Sequence, residues 1–278
     1  MNGLGIEFIS VFGLPPVDFV HLAADLGCQH ISAALVGMPL ESLGYQPFSL
    51  RDDTSLRGRL RTALDDRGVS ISLGEGMVIV PDRDVSELAA DLDVMAELDA
   101  AQINTVGFEP DRARTFDQLA ALTELAAERG MGTTIEPAPG ATIGSLPTLL
   151  AALDPVGSPH LRVAVDTMHW VRAGLGVEEL RELGTDRIGY VQLCDTTLQP
   201  RGTSYMREAM YERLPPGAGE LPLADLLAEI PTDVVVGLEI PMRELAESGV
   251  GPADRLRPCV TAARELLSRS TRDRSTEA

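Results

Sequence analysis

Along the chain, short runs rich in Ile, Val, Leu and small residues alternate with longer stretches whose apolar positions recur at helical spacing. The strand-like runs are Leu4–Val11, His30–Val36, Ser70–Leu73, Gln102–Phe108, Gly132–Ile135, Arg162–Val165, Ile188–Leu193 and Val234–Ile240, eight in all. Several are almost continuously apolar, as strands covered on both faces must be. Between them the spacing predicts helices over Val17–Leu26, Ser55–Arg67, Ser86–Leu98, Phe116–Arg129, Leu146–Leu153, Val177–Leu183, Leu223–Ile230 and Ala253–Leu267. Strands alternating with helices in this way give a parallel sheet with right-handed crossovers. The chain has 278 residues, and a (β/α)8 barrel of about 250 residues fits it with little left over. The fold class read here is therefore α/β, a single-domain TIM barrel over residues 1–267. A polar, unstructured tail follows over 268–278. The rival, a doubly wound open sheet, usually carries a glycine-rich phosphate turn after its first strand. Phe12-Gly13-Leu14-Pro15-Pro16 is not one.

Composition narrows the function. Acidic residues number 42 against 23 basic, a net charge of −19. So acidic a chain is a poor general binder of nucleic acid or of an anionic membrane. Every basic residue is arginine. The absence of lysine excludes Schiff-base aldolases, pyridoxal-phosphate enzymes and the P-loop lysine together. Cys28, Cys194 and Cys259 are widely spaced, with no CxxC, so neither a disulfide framework nor a cysteine-rich zinc site is expected. No apolar run approaches the length of a membrane span, and the N-terminus reads directly into a strand. A cytoplasmic protein acting on a small molecule, alone or as a homo-oligomer, is the expectation.

In a barrel of this kind the active site lies at the C-terminal ends of the strands. The fifth run leads to Glu136, the sixth to Asp166 and His169, the seventh contains Gln192, and the eighth contains Glu239. Glu75 and Glu109 stand near the ends of the third and fourth as rim residues. Three carboxylates converging on one mouth cannot all ionise unless a cation is present. Oxygen donors from Glu136, Asp166, Gln192 and Glu239 suit one hard divalent ion, Mg²⁺ or Mn²⁺, better than zinc. Arg213, before a Pro-Gly turn, reads either as a surface salt-bridge partner or as a clamp for an anionic substrate group. Arg201 and Arg207 are further candidates for that clamp. Cys194 reads as a buried thiol that could face the site. Trp170 reads as a pocket wall or a core residue.

The segments Thr134-Ile-Glu-Pro137, Val165-Asp-Thr-Met-His169, Tyr190-Val-Gln-Leu-Cys-Asp195 and Gly237-Leu-Glu-Ile240 resemble the xylose-isomerase-like barrel superfamily of sugar phosphate isomerases and epimerases. Arg213-Leu-Pro-Pro-Gly-Ala-Gly-Glu220 resembles its Arg-x-x-Pro-Gly-x-Gly loop. The resemblance implies metal ligation by Glu136, Asp166, Gln192 and Glu239, and substrate contact by His169. Histidine is usual in the sugar epimerases where this chain has Gln192. A glutamine there resembles the bacterial 3-dehydroshikimate dehydratases of the same superfamily.

The implied chemistry is proton abstraction next to a carbonyl, with Glu136 and Glu239 as the proton-transfer pair. Its outcome is isomerisation, epimerisation or, by loss of a β-hydroxyl, dehydration. An apurinic endonuclease of the same superfamily would need a histidine-rich multi-zinc site and a basic DNA face. Four histidines and the strong negative charge argue against it.

Overall fold

The computed structural model describes residues 3–277, with side chains through 269. Eight parallel strands close into a barrel in sequence order: β1 (Leu4–Ile6), β2 (His30–Ala34), β3 (Ser70–Glu75), β4 (Gln102–Thr105), β5 (Gly132–Ile135), β6 (Leu161–Asp166), β7 (Ile188–Leu193) and β8 (Val236–Leu238). Closure is made by β1 against β8, with Gly5 opposite Gly237. The outer ring is α1 (Pro16–Asp25), α2 (Thr54–Arg67), α3 (Ala89–Glu97), α4 (Arg112–Ala127), α5 (Leu146–Val156), then α6 (Thr167–Arg172), α7 (Val177–Leu183), α8 (Tyr205–Tyr211), α9 (Leu223–Ala228), α10 (Arg243–Glu247) and α11 (Pro252–Glu277). Among the described residues no helix is long and apolar enough to cross a membrane.

Several boundaries differ from the sequence pattern. The first apolar run is not one strand. β1 stops at Ile6, and Phe8–Val11 forms a 3-10 turn whose apolar side chains still pack into the core. The second, fourth and eighth runs also pair over fewer residues than their apolar lengths suggest. α4 begins four residues earlier than predicted because Asp111 accepts hydrogen bonds from the Ala113 and Arg114 amides, a cap of about 1 kcal/mol. α6, α8 and α10 are additional short helices after β6, β7 and β8. The polar segment expected to be an unstructured tail continues α11 as helix to Glu277. It contains neither Gly nor Pro, so nothing local ends that helix.

The period-two alternation of strands sorts side chains between two cores. On β6, Leu161, Val163 and Val165 face the helices, and on β7 Val191 and Leu193 do the same. The residues between them point into the barrel, where Leu73, Ala164 and Tyr190 form a separate small apolar cluster. One step further along the same faces come Glu75, Asp166 and Gln192, at the strands' C-terminal ends. The fold thus sets a layer of oxygen-bearing side chains directly on an apolar floor.

Candidate functional site

Glu136 follows β5 and its amide donates to Thr105 O on β4. Its carboxylate Oε2 accepts from Asn104 Nδ2 at 2.7 Å, and Asn104 Oδ1 in turn accepts from the Thr134 hydroxyl at 3.0 Å. Asp166 ends β6 and caps α6: its Oδ1 accepts from the His169 amide at 2.8 Å. The turn that makes this cap also brings the His169 ring over the mouth. His169 Nε2 lies 3.3 Å from Glu136 Oε1, while Nδ1 is hydrogen-bonded to the Tyr205 hydroxyl from α8. Gln192 projects inward from β7 and donates from Nε2 to Glu239 at 3.1 Å and to Glu75 at 3.2 Å. Its Oε1 is buried with no hydrogen-bond donor.

Arg213 lies in the middle of this layer. The residue is 3% exposed, and Nη1 pairs with Asp166 Oδ2 and, at 2.8 Å, with Glu239 Oε2. Nε donates to Ala209 O at 2.8 Å, and Nη2 lies 3.4 Å from His169 Nε2. The loop carrying it is tied down by Asp195, the residue that follows Cys194. The Asp195 carboxylate accepts from the amides of Gly217, Gly219 and Leu221. Any side chain on Gly219 would collide with that carboxylate, which is why the loop carries glycine there. Of the two readings of Arg213, the surface salt bridge is excluded by its burial. Its donors meet protein acceptors rather than pointing freely into the cavity.

Burial and partners set the charges. Burial pushes the Glu136 carboxyl up to about 8, and the neighbouring Asp166 charge adds to it. The same burial would raise Asp166, but Arg213 and His169 hold it well below the usual carboxylate range. Burial drives Glu239 well above that range despite Arg213. Burial lowers His169 to about 4, so the imidazole is neutral at pH 7. In the absence of a cation, burial thus favours the protonated forms of Glu136 and Glu239, while Arg213 favours the ionised form of Asp166.

All five residues expected at the site, together with Arg213, are brought to one mouth. Glu136, Asp166 and His169 offer ligand atoms within 4.8 Å of one another. Glu75 also enters the mouth, whereas Glu109 does not join it and instead pairs with Arg114 at 2.9 Å. Arg201 lies 3.6 Å from Glu208, and Arg207 is exposed. Trp170 is a core residue that donates to Gly176 O. Cys194 is buried beside Arg213, and burial pushes its thiol up to about 11, so it stays protonated. The sequence reading did not single out Glu7, Asn104, Tyr190 or Tyr205. Glu7 is fully buried just past β1, and its Oε1 accepts from the Tyr190 hydroxyl at 2.7 Å.

The sequence model of a family described as xylose isomerase-like TIM barrel matches residues 20–261. No curated protein matches the chain. Among solved structures, the chain is similar to the IolI protein with a binding zinc atom, at 17% identity and TM-score 0.77, covering 96% of this chain and 99% of that one. It is similar to a probable 3-DHS dehydratase, AsbF, of Bacillus anthracis at 17% identity and TM-score 0.74, covering 94% and 98%. It is also similar to an L-ribulose 3-epimerase at 14% identity and TM-score 0.74, covering 100% and 98%.

Proposed function

From its membership of the xylose isomerase-like TIM barrel family, to which this chain belongs, we propose that the protein is a metal-assisted isomerase or epimerase of a small, neutral polyhydroxylated aldehyde or ketone. The observation that carries this reading is the saturation of Arg213. A guanidinium paired with Asp166 and lying 2.8 Å from Glu239 turns toward a substrate carboxylate or phosphate only by giving up a buried ion pair, a loss of about 3–5 kcal/mol when no cation takes its place. A neutral polyol needs no such clamp. Its hydroxyls are matched by the acceptors of Glu136, Glu239 and His169.

The donor set fits a hard divalent ion. Crowded carboxylates gain from any added positive charge, and the orphaned Gln192 Oε1 is a buried acceptor with nothing to accept from. Glu136, Asp166, Gln192 and Glu239 would hold an ion of the Mg²⁺ or Mn²⁺ kind, which supplies Lewis-acid polarisation of a substrate carbonyl. The chain's own residues move the proton. Glu136 and Glu239 directly follow β5 and β8, so a substrate between them would meet one carboxyl group on each side. One removes the proton next to the carbonyl and the other, or the same one, returns it. Asn104 fixes the Glu136 oxygen that does not face His169. Tyr205 fixes the imidazole ring by its far nitrogen, which sets Nε2 beside Glu136 Oε1, where a substrate hydroxyl would meet both.

A second reading, dehydration of an acid of the 3-dehydroshikimate type, is favoured by one observation, the glutamine at position 192. Incubation of the Mn²⁺-loaded protein in D₂O with a panel of neutral ketoses and with 3-dehydroshikimate, followed by NMR, separates the two. Exchange of the C–H next to a ketose carbonyl is expected in the wild type. It should fall by roughly 10²–10⁴-fold in Glu136→Gln and in Glu239→Gln. Consumption of 3-dehydroshikimate with no ketose exchange would instead establish the dehydratase, and undiminished exchange in both variants would remove the two-carboxylate mechanism.

A further inference from the structure

A second carboxylate group shares the mouth, on the β1 and β3 side of Glu239. Glu7, Glu75 and Glu239 each offer an oxygen, all within 4.8 Å of one another. Glu7 Oε2 is buried and has no hydrogen-bond partner, although Oε1 is held by Tyr190. β8 makes room for this carboxylate with a glycine, since a Cβ on Gly237 would overlap the Glu7 side chain. Arg213 is committed to Asp166 and Glu239, and among the described residues Glu7 and Glu75 form no ion pair. Five carboxylates, those of Glu7, Glu75, Glu136, Asp166 and Glu239, thus share the mouth with one guanidinium. With all five ionised, a single divalent ion would leave two negative charges uncompensated in a buried layer, and a second would balance them.

We infer that Glu7, Glu75 and Glu239 bind a second divalent cation, with Glu239 shared between it and the ion proposed above. The oxygen-only donors select a hard ion, Mg²⁺, Mn²⁺ or Ca²⁺. Opposite ligands of a Mg²⁺-sized ion stand about 4.2 Å apart, so donors already this close close around it with small side-chain rotations. Two ions sharing a carboxylate lie roughly 3.5–4 Å apart, near enough for two Mn²⁺ ions to couple magnetically. The inference shares Glu239 with the proposed active site but rests on Glu7 and Glu75, so the two can fail separately.

The test uses Mn²⁺ as the probe. Protein stripped with chelator and equilibrated with Mn²⁺ is analysed for bound metal and by electron paramagnetic resonance. The wild type is expected to hold two ions per chain with a coupled spectrum. Glu7→Gln, which removes the charge, and Gly237→Ala, which displaces the carboxylate, are each expected to hold one ion with an isolated six-line signal. Asp166→Asn is expected to hold one ion through Glu7. Circular dichroism checks the fold of each variant, and Glu75→Gln replaces any that does not fold. One wild-type ion that survives Glu7→Gln and Gly237→Ala but is lost in Asp166→Asn would overturn the second site and leave the first. One ion lost in Glu7→Gln and kept in Asp166→Asn would do the reverse. Two ions retained in both Glu7→Gln and Gly237→Ala would overturn the assignment of Glu7.

Discussion

Asp166 and Glu7 are both carboxylates at strand ends, 1% and 0% exposed, in the same barrel mouth. Asp166 receives a guanidinium and the first turn of α6, and its pKa lies well below the usual range. Glu7 receives hydroxyl groups, and burial pushes it up to about 7. The desolvation acting on the two has the same sign, so the partners decide the outcome. The β6 side of the mouth is a compensated site that keeps its charge. The β1 side is an uncompensated one that sheds its charge or recruits a cation.

The largest expected effect tests the compensated side. Arg213→Met leaves Asp166 and Glu239 buried without their counter-charge, and breaking such a pair costs about 3–5 kcal/mol. Urea unfolding of the protein in chelator should show that loss. Added Mn²⁺ should recover much of it, because a cation then replaces the guanidinium among the same oxygens. A chelated variant as stable as the wild type would show that Arg213 contributes nothing there, and the contrast between the two sides would collapse.

The next effect has the opposite sign and belongs to the β1 side. With a folded pKa of about 7 against an ordinary 4.5, Glu7 binds its proton more tightly in the native state. Its contribution to stability is full below pH 4.5 and is lost as pH rises through about 7. Glu7→Gln keeps an acceptor for Tyr190 but carries no charge. In chelator, the variant should be more stable than the wild type at pH 8, by on the order of 2–3 kcal/mol, and the difference should vanish near pH 4.5. Unfolding midpoints across that range check it, and a constant difference at every pH would break the comparison. In Mn²⁺ the order at pH 8 should reverse, since the cation stabilises only the carboxylate form.

The two sides also differ in how far the sequence discloses them. Glu136, Asp166 and Glu239 each follow an apolar stretch, and Gln192 shares the inward face of β7 with Tyr190, so period-two alternation carries all four to one rim. Glu7 lies inside the apolar run Leu4–Val11, which reads as a single strand. Its role depends on β1 ending at Ile6, and that break is hidden because the 3-10 turn after it is equally apolar. Glu75 lies two residues past the point where the apolar pattern of β3 stops, so it reads as rim. Arg213 is visible as a loop residue, but its insertion between two strand ends is made by Asp195 gathering three amides of its loop. No local pattern announces a contact set by so distant a segment. Asn104 and Tyr205 are ordinary strand and helix residues until their partners are in place.

The smallest expected effect compares the hydroxyls that support each side. On the β1 side, the Tyr190 hydroxyl donates directly to Glu7 Oε1. On the β5 side, the Thr134 hydroxyl reaches Glu136 only through Asn104. Tyr190→Phe removes a donor from a carboxylate, so its cost should depend on whether Glu7 is ionised. In chelator, a loss of about 1–2 kcal/mol is expected at pH 8 and less at pH 5. Thr134→Val removes a donor from an amide oxygen that does not titrate, while Glu136 keeps Asn104 and His169. Its cost should be about 1 kcal/mol at both pH values. Urea midpoints of the two variants at pH 5 and pH 8 give the result directly. A Tyr190→Phe loss that did not grow with pH would mean that the hydroxyl supports the barrel floor through Ser72, 3.0 Å away, rather than the charge on Glu7. The two sides of the mouth would then differ in their cations alone.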